Sequence, residues 1–477
     1  YLSIIIFIHI NIYNNHAYSC LDLEIILIFN PIIYTNTPKF CPFPTFCFVL
    51  SALFQPAHAF DLAQAWQAAL HYSADHAAAK HSRDAEAEQK YQARAALLPQ
   101  ISANAVYQKQ PYSLSANTQS HGWNVQASQI LYDKSRFTQY RQGRLAAQMA
   151  DIRLENHADD VRLNVAQAYF DVLLNRDKLA AIRDEKNAYR QQIRQAQAMF
   201  AQGAATIIDT YEAQAGYDAA LAKEIATATQ LQVAENALAD LTGLNAAAIR
   251  PLGKQAEQVD FLDGRQEPQW QKLAAAHNRS WQLQIAALEN AEAALAAAKG
   301  GHLPKLTLNS GYQDNHSTRE YGGDAQKYRS KGATLTLQLS MPLYSGGHTA
   351  SQVREAAARV AQNRELLLAA ERQAKLAVRQ AYLGSHSSKI QVLAQQRLLN
   401  AADARLQATR LGKEVGIRNN LEEVQAQQAQ AEAVQKLAEA RYAHIQAYLQ
   451  LLHSAGVLGG QARAEKINAL LFAAYPK

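Results

Sequence analysis

Two kinds of hydrophobic pattern divide this chain into helical and extended segments. Between Ala333 and Met341, apolar and polar residues alternate without interruption, within the segment GATLTLQLSMPLYSGG (332–347). An alternation of period two is typical of a β-strand with one apolar face. The other long stretches are rich in Ala, Gln, Glu and Arg, as helices are. The pattern predicts β-segments within a mostly helical protein.

The same order of motifs is written twice along the chain. Two strand motifs recur: LLPQISANAVYQ (97–108) as HLPKLTLNSGYQ (302–313), and WNVQASQILYD (123–133) as LTLQLSMPLYS (335–345). Farther along, equivalent residues are separated by a constant 213 positions, since Gly203 matches Gly416 and Gly243 matches Gly456 (416 − 203 = 213; 456 − 243 = 213). We interpret the chain as a tandem duplication.

Pro, Gly and polar clusters divide both copies into the same elements. For the first repeat, 60–243, we predict a helix over 62–96, strands over 100–110 and 122–132, a long helix over 134–201 and a helix over 207–242. For the second, 269–456, we predict a helix over 270–299, strands over 305–314 and 332–343, a long helix over 348–411 and a helix over 420–454. A connector occupies 244–268, and a C-terminal tail occupies 457–477.

The long predicted helices carry a seven-residue repeat. Its members in the second copy are Val353, Val360, Leu367, Ala374 and Ala381. This period indicates left-handed coiled-coil packing, and the small residues allow close approach of the helices. A helix of about 64 residues would form a rod of roughly 100 Å, which exceeds a compact domain.

The alternating strands are expected to present one face to lipid. The residues predicted to face lipid are Trp123, Val125, Ala333, Leu335, Leu337, Leu339 and Met341. A soluble sheet would show the same pattern, but the helices leave it no broad apolar surface to pack on. Eleven residues tilted by about 45° climb roughly 25 Å, the height of the apolar band of an outer-membrane barrel. Four strands cannot close a barrel, and lipid does not tolerate open edges, so closure needs several chains, and three would give twelve strands.

Composition and motifs exclude several function classes. The chain has 477 residues, is 48% hydrophobic and carries a formal net charge of +6 without a run of Lys and Arg, so we predict no nucleic-acid partner. Its 15 His residues lack metal-site spacing. Nucleophile-elbow, P-loop and dinucleotide-binding motifs do not occur at a strand-to-helix junction. We therefore predict that the protein is not an enzyme and has no metal or cofactor.

Residues 1–59 differ from the rest of the chain. They contain all 3 cysteines and no Met, and the first Met is Met149. The apolar segment FCFVLSALF (46–54) and the following Ala57-His58-Ala59 indicate a signal peptide cleaved before Phe60. We expect 1–59 to be a leader region, partly untranslated upstream sequence. The predicted mature chain is exported and has no apolar run long enough for a transmembrane helix.

Over 60–477, this order of motifs resembles the TolC family of trimeric outer-membrane channels. The resemblance rests on the duplicated Leu-Pro strand motifs, Leu-Tyr at each strand-to-helix junction, Ala-Tyr at 168–169 and 381–382, and the two Gly-containing breaks. It implies a mixed α and β fold. In that fold, a trimeric 12-stranded transmembrane β-barrel with four strands per chain continues into a periplasmic α-helical barrel of coiled-coil helices.

The resemblance also implies a function and partners. It implies a passive exit duct in the outer membrane of a Gram-negative bacterium, for secreted proteins (type I secretion), small toxic molecules (multidrug efflux) or both. The implied partners are two further copies, a periplasmic adaptor, an ABC or proton-driven inner-membrane pump, and outer-membrane lipid. The alternatives are an exported structural or adhesive coiled-coil protein and a periplasmic adaptor. An adaptor would carry one helical hairpin in a soluble β-domain, rather than two copies of the same unit.

Family gate residues can be carried over to GAATIIDTYEAQ (203–214) and GIRNNLEEVQAQ (416–427). The family's gate Asp falls on Asp209, its gate Arg on Arg418 and the acid one turn later on Glu422. At two positions the chain departs from the family, because Lys413 replaces a Tyr and Gln425 replaces a second Asp. The resemblance therefore implies a periplasmic gate that is similar in principle but differently wired. The alternative is that these residues are solvated helix-end charges.

Overall fold

The structure is a computed structural model that describes residues 59–113, 116–204, 206–253, 261–262, 264–321 and 324–472. The chain divides into two units, Tyr1–Pro56 and Ala57–Lys477. The first unit lies outside the described residues, and so does almost all of the predicted leader region 1–59.

Long helices and one four-stranded sheet make up the second unit. The helices are α1 (Leu62–Tyr72), α2 (Ala74–Ala95), α3 (Lys134–Ala201), α4 (Ile207–Thr242), α5 (Glu267–His277), α6 (Arg279–Gly300), α7 (His348–Glu414), α8 (Asn420–Ser454) and α9 (Gln461–Phe472). The strands are β1 (Gln100–Ser113), β2 (Ala116–Tyr132), β3 (Lys305–Tyr321) and β4 (Asp324–Ser340). Within the described ranges, no helix combines the length and the apolar character needed to cross a membrane.

The two longest helices form the frame of the unit. Helix α3 has 68 residues and α7 has 67, so each spans about 100 Å. Helix α4 returns along α3, and α8 returns along α7; the two helical hairpins meet through contacts between α3 and α8. Helix α3 starts at Asp133, whose carboxylate accepts hydrogen bonds from the backbone N–H groups of Ser135 (2.9 Å) and Arg136 (3.4 Å).

The predicted single helices over 62–96 and 270–299 are wrong, because the structure breaks each into two. Ser73 separates α1 from α2, and its hydroxyl accepts from the backbone N–H of His76. Asn278 separates α5 from α6 in the same way, with its side-chain oxygen 2.9 Å from the backbone nitrogen of Trp281. Ser and Asn side chains compete with the helix for local backbone hydrogen bonds and so start a new helix.

Replacing Gly456 by Ala is expected to destabilise the protein more than replacing Gly416 by Ala. The φ angles are +71° and +75°, so either substitution costs about 1–2 kcal/mol in the left-handed region. A Cβ on Gly456 would also lie 2.1 Å from the carbonyl oxygen of His277, whereas one on Gly416 would meet nothing within 4 Å. Thermal unfolding followed by circular dichroism should therefore give a distinctly lower Tm for Gly456→Ala. Equal Tm values would contradict this close approach.

The four strands form one antiparallel sheet in the order β1-β2-β3-β4. The predicted strands 100–110, 122–132 and 305–314 are too short, because the ladder continues almost to each hairpin turn. Outside the apolar band both faces are polar, so the sequence loses its alternation while the backbone pairing continues. The predicted strand 332–343 begins too late and ends too late, because β4 covers Asp324–Ser340. It stops at Ser340, before Pro342, which has no N–H to donate.

The main core lies about halfway along α3. Its large buried side chains include Trp66, Tyr169, Phe170, Trp270 and Leu449. The hydroxyl of Tyr169 donates to the carbonyl oxygen of Arg250 at 2.8 Å, and burial raises the pKa of this tyrosine. Helix α9 of the predicted tail also joins this core, through Ile467, Leu471 and Phe472. The core therefore separates the sheet at one end from the Gly203 and Gly416 turns at the other.

Candidate functional site

One face of the sheet carries a band of exposed apolar side chains. In β4 the exposed fractions are 74% for Leu335, 62% for Leu337 and 70% for Leu339. Pairing aligns Ala333 with Tyr312 and Val125 with Tyr312, so these residues share the face of Leu335. Trp123 belongs to the same face, and its ring centroid lies 5.5 Å from that of Tyr312.

The predicted lipid-facing set needs additions and one change. Met341 is exposed but lies beyond the end of β4, so it is not a strand residue as predicted. Strand pairing adds three residues to the lipid-facing set. Leu306 pairs with Leu339, Leu308 pairs with Leu337, and Ile101 aligns with Leu335 across the sheet. Leu306 and Leu308 alternate with polar residues in LTLNSGY, so the sequence alone could have indicated that these two residues face lipid.

The opposite face of the sheet is polar across all four strands. Asn104 donates to Asn124 at 3.2 Å, and Ser128 donates to Asn309 at 2.8 Å. A hollow of about 290 Å³ lies on this face, and among its lining residues are Asn124, Gln126, Ser128, Asn309, Gln313, Thr334 and Thr336. The sheet therefore has one face compatible with lipid and one compatible with water.

The helical turns at the far end of the molecule carry the two predicted gate acids. Asp209 lies in the first turn of α4 and accepts hydrogen bonds from the backbone N–H (2.9 Å) and the hydroxyl (2.8 Å) of Thr206. Glu422 lies in the first turn of α8 and accepts from the backbone N–H of Asn419 at 3.2 Å. Both acids therefore take the same helix-capping position in the two copies.

Arg418 lies beside Glu422 on the same helix start. Its guanidinium donates to Glu422 Oε1 at 2.8 Å, so in this chain the two predicted gate residues bind each other. The hydrogen bond from Arg418, followed by that from Asn419, holds the pKa of Glu422 below its ordinary 4.5. A carboxylate with a lowered pKa adds stability above its ordinary pKa and loses it as the pH falls through the lowered value.

Lys413 belongs to a polar cluster that includes residues not predicted from the sequence. Its ammonium group donates to Glu423 Oε2 at 2.7 Å and to the side-chain oxygen of Asn420 at 2.9 Å. Arg410 approaches the other oxygen of Glu423 at 3.4 Å. The amide of Gln192 on α3 reaches Asn420 at 3.5 Å. The cluster thus joins the end of α7 to the start of α8 and to α3, whereas Gln425 lies on an exposed face of α8.

A buried aromatic ring packs the two helical hairpins together near these turns. Tyr189 on α3 is fully buried with Ala220 of α4 and Val424 of α8. A Cβ on Gly216 would lie 2.5 Å from the ring of Tyr189, so the absence of a side chain there allows the ring to enter. Burial raises the pKa of Tyr189 to about 12, so the ring stays neutral in this packing at physiological pH.

The chemistry of these side chains is structural and electrostatic. Among the described residues, no group of three or more His, Cys, Asp or Glu side chains could hold a metal ion. The arrangement offers a two-faced sheet at one end and, about 100 Å away along the helices, a set of charged side chains at the helical turns.

Comparisons with known proteins match both halves of the chain. The family model described as outer membrane efflux protein matches residues 65–244 and 270–457. The proteases secretion protein PrtF of Dickeya chrysanthemi is 30% identical, over 87% of this chain and 92% of that protein. The outer membrane protein TolC of Vibrio cholerae is 30% identical, over 80% and 86% of the two chains. The solved structure of CusC superposes with a TM-score of 0.71 at 19% identity, over 86% of this chain and 96% of that one, and shows the shared fold.

Proposed function

Because this chain belongs to the outer membrane efflux protein family, we propose that three copies of it form one exit duct. The duct crosses the outer membrane through a shared 12-stranded barrel and extends into the periplasm as a helical barrel. It conducts cargo passively, and no catalytic step is assigned to this chain. Its two functional regions are the sheet and the helical turns.

The open, two-faced sheet is the observation that carries this proposal. Strands β1 and β4 are the outer strands of the sheet, so each leaves a row of backbone N–H and C=O groups unpaired within the chain. Such an edge is not tolerated in lipid, because no water is present to bind these groups. Pairing β4 of one copy with β1 of the next satisfies both edges, and three copies of four strands supply twelve. The apolar band then faces lipid, and the polar face lines the lumen.

The proposed partners contact the other end of the duct. Helices α3 and α7 extend about 100 Å away from the sheet, far enough to reach deep into the periplasm. The turns at Gly203 and Gly416 are therefore the part of the chain that a periplasmic adaptor and an ABC or proton-driven inner-membrane pump would approach. We propose that Asp209, Arg418 and Glu422 close this end, together with the Lys413 cluster.

Exported proteins are the proposed first class of cargo. PrtF, which aligns over most of both chains, is described as a proteases secretion protein, which favours type I secretion. The family description, efflux protein, favours small toxic molecules as a second class. One duct can serve both, because the polar sheet face described above offers a wide wetted surface.

Deletion of the gene in its own host is expected to separate these two cargo classes. Loss of one or more proteins from the culture medium would identify protein cargo, and a lower minimal inhibitory concentration of detergents and dyes would identify small-molecule cargo. Restoring the intact gene should reverse either defect. An unchanged set of secreted proteins together with unchanged inhibitory concentrations would contradict the exit-duct proposal.

Extraction of the membrane fraction is expected to distinguish the duct from an exported coiled-coil or adaptor protein. A duct should leave the membrane only with detergent and should be a trimer by native mass spectrometry. A monomer released without detergent would favour the alternatives.

A further inference from the structure

Above the apolar band, the same face of the sheet carries a group of basic side chains. Lys327, Arg329 and Lys331 occupy alternate positions of β4, in phase with Ala333 and Leu335. Lys109 of β1 aligns with Lys327 across the four paired strands, so the two residues lie in the same row of the sheet. All four basic side chains are exposed. We call these four residues, Lys109, Lys327, Arg329 and Lys331, the basic belt.

The basic belt keeps an excess of positive charge for an external partner. Arg329 binds Asp314 through two hydrogen bonds of 2.9 and 2.7 Å, and the side chain of Asp314 is only 13% exposed. In the described part of the chain, Lys109 and Lys327 form no ion pair. Lys331 lies near Asp314 without a direct bond, since Arg329 occupies that carboxylate. The belt therefore holds four cations against two acids on the same face, namely Asp314, which binds Arg329, and Glu320, one row from Lys327 toward the hairpin end.

Aromatic rings lie within the basic belt and next to it on the side of the apolar band. Trp123 lies in the row of Lys331, and Tyr312 lies in the next row toward Leu335. Tyr107 shares its row with Arg329 and with the stacked rings of His121 and His316, whose centroids are 5.1 Å apart. Aromatic girdles of this kind flank the apolar band of membrane barrels at the level of the lipid headgroups.

The height of the basic belt along the strands agrees with the level of the lipid headgroups. Lys331 lies about 20 Å along the strand from Leu337, and Lys327 lies about 33 Å from it. With a strand tilt of about 45°, these distances correspond to roughly 14 and 23 Å above the middle of the band. The apolar band is about 25 Å tall, so the belt begins where the hydrocarbon ends. The hairpin ends of the strands point away from the helices, so this level belongs to the outer leaflet.

We propose that the basic belt binds the phosphate groups of an anionic lipid of the outer leaflet. This inference rests on the proposed function, because it needs the sheet to span the outer membrane with its hairpins outward. Ammonium groups form charge-assisted hydrogen bonds with phosphate oxygens. The two edge lysines, Lys109 and Lys327, lie about three strand spacings apart, roughly 14 Å. Three copies would surround the barrel with repeated sets of these cations, so that bound lipid seals the junctions between copies.

Lipid binding by the purified trimer tests this inference. Native mass spectrometry would compare phosphorylated lipid A with the same lipid after removal of its phosphates. We expect the intact trimer to bind the phosphorylated form at least tenfold more tightly. In the triple variant Lys109→Gln, Lys327→Gln, Lys331→Gln, this preference should fall at least tenfold. The variant keeps Arg329, so Asp314 retains its partner.

Arg319→Gln is the matched control. Arg319 lies in β3 near the level of Lys327 but on the polar face. It pairs with Gln326, which precedes Lys327 in β4 and therefore points to the opposite face. Its loss should leave the lipid preference unchanged. Equal binding of both lipid forms by the intact trimer would overturn the inference, as would competition by inorganic phosphate at the same concentration as the lipid. Trimer yield and conductance are measured on the same preparations. A conducting trimer without lipid preference would overturn only this inference, whereas loss of the trimer itself would contradict the exit-duct proposal.

Discussion

Leu337→Arg is expected to prevent assembly of the protein in the outer membrane. Leu337 is 62% exposed and lies within the apolar band, beside Leu308. A charged side chain facing lipid near the middle of such a band costs about 2–4 kcal/mol, and three copies would repeat that cost. Membrane fractions should therefore contain much less trimer than fractions from the parent strain, at equal protein synthesis.

Gln338→Arg is the matched control for this prediction. Gln338 is the next residue of β4, so its side chain lies on the polar face, in the row of Thr307. A charge there faces the proposed lumen, where water solvates it, and trimer yield should match the parent. Its effect should instead be a shift of the reversal potential in a planar bilayer toward anion selectivity. Equal trimer yields for the two variants would contradict the proposed orientation of the sheet.

The bounds of three of the four long helices could be predicted because strong signals mark both ends, whereas α7 ends at Glu414, beyond the predicted 411. Helix α3 covers Lys134–Ala201, α4 covers Ile207–Thr242, and α8 covers Asn420–Ser454, the ranges expected from the sequence. A capping side chain begins each helix, and a glycine with positive φ follows α3 and α4. Packing along a whole helix does not change such local signals, so they can be read without the tertiary structure.

The ends of the strands could not be predicted in the same way. Alternation of apolar and polar residues reports two different environments on the two faces of a strand. Beyond the apolar band, as at Lys327 and Tyr328, the side chains on both faces of β4 carry polar or charged groups, and the alternation disappears. Backbone pairing continues there, because Lys327 still aligns with Thr318. The sequence therefore indicates the band that needs lipid, and it does not indicate how far the sheet extends beyond it.

The partners at the helical turns also needed the structure. The repeat spacing makes Asp209 and Glu422 equivalent positions of the two copies (422 − 209 = 213), and these are the two predicted gate acids. Lys413 instead binds Glu423, the adjacent residue. Which of two neighbouring acids faces α7 depends on how α8 rotates after Gly416. That rotation is set by packing, such as the contact of Val424 with Tyr189, and no local motif reports it.

Conductance is expected to rise when the charged contacts at the helical turns are removed. The side chains of Lys413 and Glu423 are 19% and 12% exposed, whereas those of Arg418 and Glu422 are 55% and 36% exposed. An exposed ion pair contributes about 0–1 kcal/mol, and a partly buried one contributes more because water screens it less. Disrupting the Lys413 pair should therefore open the duct more than Arg418→Ser does.

Glu423→Gln should have the largest effect among the single substitutions. It removes the negative charge that binds both Lys413 and Arg410, whereas Lys413→Ala leaves the Arg410 ion pair in place. Asp209→Asn and Glu422→Gln remove charge but keep a side-chain oxygen for the helix cap, so they test the gate without disturbing the start of the helix. We expect severalfold higher single-channel conductance for Glu423→Gln in a planar bilayer, with trimer yield unchanged and greater antibiotic sensitivity of the cells.

Lys436→Ala is the matched control, because it removes an exposed ion pair with Glu439 farther along α8. Its conductance should equal that of the parent. A double-mutant cycle of Lys413→Ala with Glu423→Gln should be non-additive, since the two side chains form one contact. If Glu423→Gln and Arg418→Ser both conducted like the parent, the charged contacts would not form the gate. The constriction would then have to come from other side chains that line the periplasmic end of the duct.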